Sequence, residues 1–190
     1  TEAGELDLDD FHAKLTDRTR LVSLAHISNV LGCCNPLDRV IPAAHAAGAV
    51  VLVDACQSLA HKPIAVGTLG ADFLVGSSHK LCGPTGMGFL WGRESLLEAM
   101  PPFLGGGEMI QDVYLDHSTW AGLPYKFEAG TPAIGEAVGM GVALRYLQEI
   151  GLDSIAAWEA ELTQHLFNRL QAIDGLRVLG PSPQQQPGRG

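Results

Sequence analysis

The stretch Ala71-Asp-Phe-Leu-Val-Gly-Ser-Ser-His-Lys-Leu-Cys-Gly-Pro-Thr-Gly-Met-Gly88 constrains the fold more tightly than any other part of the chain. Phe73-Leu74-Val75 is a short apolar run bounded by Gly and small polar residues, which predicts a buried strand. Ser77, Ser78, His79 and Lys80 fall where that strand ends, and glycines at 83, 86 and 88 keep the next segment from being a helix. A second run, Val50 to Val53, is apolar and β-branched and ends in a single carboxylate, Asp54. A third, Thr19 to Ala25, delivers His26, Ser28 and Asn29 to its carboxyl end. Between the first and second strands in chain order, Asn35-Pro36 reads as a cap and first position of a helix running through Ala47 and stopped by Gly48. Strand–helix–strand in this order implies a crossover between parallel strands. The class is therefore α/β, with a mainly parallel sheet flanked by helices. Ligands of such open sheets bind outside the carboxyl ends of the strands, where Asp54 and Lys80 both fall.

Taken singly, these residues say little. A lysine is far more often a solvated charge than a catalytic group, and a carboxylate closing a buried strand is common. Together, an Asp at one strand end and a Lys at a nearby one match what pyridoxal phosphate requires. The Lys80 amine is a candidate Schiff-base former, and the hydroxyls beside it suit a phosphate. Asp54 would keep the pyridine nitrogen protonated. Burial alone raises a carboxyl pKa, but a cationic partner opposes this and keeps the group ionised.

Two segments carry a resemblance: Val51-Leu-Val-Asp-Ala-Cys-Gln57 and Gly76-Ser-Ser-His-Lys-Leu-Cys-Gly-Pro-Thr-Gly-Met-Gly88. With His26-Ile-Ser-Asn-Val-Leu-Gly32, Pro101-Pro-Phe-Leu-Gly-Gly-Gly-Glu-Met-Ile110 and Phe127-Glu-Ala-Gly-Thr-Pro132, the chain resembles class V aminotransferase-fold enzymes, and within them the SufS-like (group II) cysteine desulfurases. The resemblance runs from about Gly4 to about Pro181. It implies the type I fold of pyridoxal-phosphate-dependent transferases, and removal of sulfur from L-cysteine (or selenocysteine) to give alanine and an enzyme persulfide. The sulfur would then pass to an acceptor protein, as in iron–sulfur cluster assembly. It places the cofactor lysine at Lys80, the partner of the pyridinium at Asp54, ring contacts at Gln57 and Asn29, and phosphate contacts at Ser77 and His79. It also places Thr119 at the phosphate of a neighbouring subunit, which implies a homodimer. The thiol that accepts sulfur and the arginine that binds the substrate carboxylate are expected beyond Gly190, and the histidine that stacks on the cofactor upstream of Thr1. The chain thus reads as a fragment, inactive or nearly so by itself. Cys82, two residues from the lysine, reads as a packing residue. Other enzymes of this fold share the cofactor residues (aminotransferases, selenocysteine lyases, kynureninase-like hydrolases), and a non-catalytic scaffold is the rival from a different class.

Residues 1–150 are expected to be part of the large cofactor domain. Residues 151–180 would hold a linker helix and the start of the small domain, and 181–190 a disordered tail rich in Pro and Gln. Phe103 to Lys126 reads as a long functional loop, Leu176 to Leu179 as the start of a strand, and Ser154 to Ile173 as an amphipathic helix. With a net charge of −9 and a pI of about 5.1, no basic patch recommends a nucleic-acid or membrane-surface partner. No apolar run reaches the ~20 residues that span a bilayer. Cys33, Cys34, Cys56 and Cys82 have neither zinc-site nor disulfide-framework spacing. They read as reduced thiols in a cytoplasmic protein.

Overall fold

The computed structural model of the chain describes residues 1–188. A four-stranded sheet carries the fold, in the spatial order β1 (Leu21–Ala25), β2 (Val50–Asp54), β3 (Phe73–Ser77), β4 (Gly88–Gly92). β1 and β2 pair in parallel, as do β2 and β3, whereas β4 returns antiparallel to β3. The registers Ala25↔Asp54 and Asp54↔Val75 bring the carboxyl ends of the three parallel strands to one edge. That edge is where a ligand crevice of such a sheet belongs.

The burial pattern reflects position in the sheet. β2 is central, so Val51 and Val53 are completely buried, while β1 lies at the edge and leaves Leu21 half exposed. The crossover helix α2 (Leu37–Ala46) presents Leu37, Ile41 and Ala44 to the sheet at helical spacing, and these pack with Val51, Val53 and Leu74. Asn35 does not cap this helix. Pro36 takes the cap position, and the Asn35 side chain donates instead to the carbonyl of Ala25, tying the helix entry to the end of β1.

On the other side of the lysine segment, a second cluster joins Leu81 to Met140 and Leu147 of α5 (Ile134–Ile150), with Ala60 between them. Gly139 allows this approach: a Cβ there would sit 3.1 Å from the ring of Pro84. The small residues of α5 thus serve a close contact at that position. Gly135 and Gly141 have no such neighbour. At the amino end of β3, Asp72 accepts from the Val51 N–H, the Arg93 Nε and His45 Nε2, at 2.7–2.9 Å. This pins the strand at the end remote from the lysine.

Three expectations are corrected. The segment 103–126 is not one loop: it holds a short hairpin, β5 (Ile110–Val113) with β6 (Ser118–Trp120), whose register is irregular. Residues 176–179 form no strand and pair with none of the described strands; α6 (Leu152–Gln171) ends in a turn instead. Cys82 is exposed rather than packed, because it takes the left-handed conformation (φ 60°) that closes the turn Ser78–Leu81. In the tail, Pro181 is buried and the Gln186 amide exchanges two hydrogen bonds with the backbone of Cys34. The last two residues of the 181–190 segment lie outside the described residues.

Candidate functional site

The site begins with the backbone. The N–H of His26, directly after β1, donates to the carbonyl of Asp54, and the Ala55 N–H donates to the carbonyl of Val75. The three strand ends are thereby laced together just where the chain turns away from the sheet. The Asp54 carboxylate accepts the N–H of Cys56 at 2.9 Å, which fixes its orientation at the mouth of β2.

The lysine segment is a single 3₁₀ turn, Ser78–Leu81. Such turns are short and tight, and this one is held at both ends. The Ser78 N–H donates to the Met87 carbonyl and the Gly83 N–H returns to Ser78, while Leu81 is buried beneath. The turn leaves His79 and Lys80 exposed, and among the described residues the Lys80 amine makes no hydrogen bond or ion pair. Ser77 Oγ lies 2.8 Å from His79 Nδ1, so hydroxyl and imidazole form one polar pair beside the lysine. Ser78 Oγ is fully buried with no hydrogen-bond partner among the described residues.

Cys56 reports how the charged groups are disposed. Burial pushes its thiol up to about 11, a hydrogen bond to the Asp54 carboxylate and that group's charge add to the effect, and the charge of Lys80 acts in the opposite sense. The Cys56 thiol thus feels the charge of both Asp54 and Lys80, in keeping with the adjacent carboxyl ends of β2 and β3. Reading Cys56 only as a reduced thiol does not reach this. Its position two residues after Asp54 was the available signal.

Asn29 and Gln57 line a cleft of about 670 Å³ together with His61, Lys62 and the inner side of α6. Neither amide makes a side-chain hydrogen bond among the described residues, so both are open to a ligand. Glu159 of α6 grips His61 Nδ1 with both oxygens, at 2.8 and 2.9 Å. This link between a helix and a loop nearly a hundred residues apart has no local sequence signal. Thr119 is not brought into this cluster: its hydroxyl donates to Asp112 and accepts the Asp112 N–H inside the hairpin. His117 stacks on Tyr114 in the same hairpin. No group of metal-ligating side chains occurs among the described residues.

Comparison with known proteins places the fold in a family. The family model described as "Aminotransferase class-V" matches residues 1–189. A probable cysteine desulfurase of Synechocystis is 53% identical over 182 residues, covering 96% of this chain and 43% of the relative. The crystal structure of the cysteine desulfurase CsdA from Escherichia coli superposes with a TM-score of 0.85 at 41% identity, over 89% of this chain and 42% of that one. A C-DES mutant with glycine covalently linked to its pyridoxal-phosphate cofactor gives a TM-score of 0.83 at 25% identity, covering 96% of this chain and 49% of the other. The chain spans less than half the length of the curated relatives it matches.

Proposed function

This chain belongs to the class-V aminotransferase family, and from that premise we propose that the whole protein is a pyridoxal-phosphate-dependent cysteine desulfurase of the SufS-like group. The observation that carries the proposal is the alignment of the carboxyl ends of β2 and β3 at one edge of the sheet, where Asp54 closes one strand and the turn that exposes Lys80 follows the other. A carboxylate, an exposed primary amine, and a hydroxyl–imidazole pair are the donor set that pyridoxal phosphate needs. The fully buried, unpartnered Ser78 Oγ shows that polar capacity beside the lysine is not spent within the protein.

When bound, the cofactor supplies an electron sink for charge developing at the substrate α-carbon. The chain's own residues supply the rest. Lys80 holds the cofactor through its amine, and the same amine moves the proton at the α-carbon. Asp54, oriented by the Cys56 N–H, holds the pyridine nitrogen protonated. Gln57 and Asn29, both lining the cleft, would contact the ring, and Ser77 with His79 would hold the phosphate. Cysteine and an acceptor thiol become alanine and a persulfide: the C–S bond of the substrate breaks, an S–S bond forms, and the thiol proton ends on alanine. We place the acceptor thiol outside these 190 residues, as the family resemblance implies: Cys33 is buried and donates to Gly4, Cys56 is held protonated, and the exposed Cys82 is left to the substitution test below.

A homodimer is part of the proposal. Exposed apolar side chains gather on the hairpin (Val113, Tyr114, Leu115) and along one row of α5, and contiguous exposed apolar surface marks interaction sites. For Thr119 to reach a neighbouring subunit's phosphate, it must exchange its bond to Asp112. The four free cysteines support a cytoplasmic location, and no helix among the described residues is long and apolar enough to cross a membrane. A sulfur-acceptor protein completes the proposed set of partners. The test is turnover: the purified whole protein should release alanine from L-cysteine in a 1:1 ratio with persulfide or sulfide. Transamination without sulfur release would favour an aminotransferase instead.

A further inference from the structure

His26 is the best-connected side chain near the cleft that the proposed chemistry leaves unassigned. Its backbone N–H donates to the Asp54 carbonyl, and its own carbonyl accepts from the Asn35 N–H. Its ring Nδ1 lies 3.0 Å from Ser58 Oγ, and Ser58 is completely buried. Ser58 Oγ also lies 3.2 Å from the Ala55 carbonyl, which can take its single hydroxyl proton. With that proton on the Ala55 carbonyl, the oxygen accepts from the imidazole, which assigns to His26 the tautomer protonated at Nδ1.

This bond joins the two segments that frame the cleft. One is 26–29, which ends in Asn29; the other is 54–58, which carries Asp54 and Gln57. Among the described residues, the other hydrogen bond between the segment 54–58 and the residue that follows β1 is the backbone one from His26 to Asp54. Burial, aided by the charge of Lys62, lowers the His26 imidazole to about 4, so the ring is neutral in ordinary conditions. It does not compete with the cofactor lysine for charge.

We propose that His26 is a positioning residue: by donating from Nδ1 to Ser58 it locks the 55–58 turn against the end of β1 and fixes Gln57 relative to Asn29 in the cleft they both line. The assignment rests on the cofactor reading above, since it is the cofactor ring that the two amides are held to meet.

The test compares His26→Phe, which keeps a ring but no donor, with His26→Asn, which keeps an N–H donor near the same place, and with Ser58→Ala, in the whole protein. Loss of one such hydrogen bond predicts pyridoxal-phosphate affinity weakened on the order of tenfold in His26→Phe. Ser58→Ala should show a similar loss, the double variant no further loss, and His26→Asn substantial rescue. Nitrogen-15 NMR of the cofactor-free protein should show His26 protonated at Nδ1, a readout that fold stability alone does not set. Wild-type affinity in His26→Phe, additive losses in the double variant, or a proton on Nε2 would overturn the assignment. Failure of the wild-type protein to bind pyridoxal phosphate would instead overturn the functional reading, and this assignment with it.

Discussion

Gly83 shows how little room the lysine turn has. A Cβ at this position would lie 2.3 Å from Ser78 Oγ and 3.0 Å from the Ser78 carbonyl oxygen. Gly83→Ala must push the turn outward, at a cost of about 1–3 kcal/mol, and calorimetry of the variant should show that loss together with weakened cofactor binding. Cys82 makes the opposite case. Its left-handed backbone is a conformation glycine adopts freely, so Cys82→Gly should be neutral or stabilising by up to about 1 kcal/mol. In the whole protein the same variant should retain sulfur transfer; loss of persulfide formation would make Cys82 the acceptor thiol. His26 adds a pH dependence. Its folded pKa of about 4 lies below its ordinary 6.5, so the unfolded chain binds more protons between those values and stability falls as pH drops from 6.5 to 4. His26→Asn should flatten that part of the stability–pH curve, as measured by thermal melts at constant ionic strength.

β3 is the element on which the site depends. Its middle is apolar and buried, with Leu74 only 1% exposed, so Leu74→Ala should cost about 2–5 kcal/mol. Its amino end is fixed by Asp72. Burial disfavours ionisation there, but the hydrogen bonds from Val51 and His45, with the charges of His45 and Arg93, outweigh it and hold the carboxyl below its ordinary 3.8. The stability this contributes is present above pH 3.8 and is lost as pH falls through the lower folded value. Asp72→Asn should therefore destabilise by about 1 kcal/mol near neutral pH while leaving the lysine chemistry intact, which denaturant melts and cofactor titration would separate. The parallel strands and the lysine turn were legible in the sequence because each is a local pattern: an apolar run, then a change to small polar residues and glycine. The β5–β6 hairpin was not. Its strands have four and three residues, expose most of their side chains and pair irregularly, so no alternation survives to be read. The helix start at Asn35 misled because that side chain had a tertiary partner, the Ala25 carbonyl, which outweighed its use as a cap.

Across the whole molecule, the site is assembled by contacts between distant parts of the chain. α5 buttresses the lysine turn through Leu81 and Pro84, and α6 closes one side of the cleft through the Glu159–His61 pair. Both partners of that pair are half exposed, so Glu159→Gln should change stability by less than about 1 kcal/mol; its effect should appear as a looser cleft, read by hydrogen exchange along α6. Residue types and spacing pointed to Asp54, Lys80, Ser77 and His79, because these sit at strand ends or beside them. They could not show that Cys56 senses both Asp54 and Lys80, that Lys62 and Glu159 border the cleft, or that Thr119 is held apart in its hairpin. The central claim is that Lys80 is the group that holds the cofactor. The direct measurement is to load the whole protein with pyridoxal phosphate, reduce it with borohydride, and map the modified residue by mass spectrometry. A pyridoxyl group on Lys80, absent in a folded Lys80→Ala variant, is the predicted result. Modification of another lysine, or none in a folded wild-type protein, would contradict it.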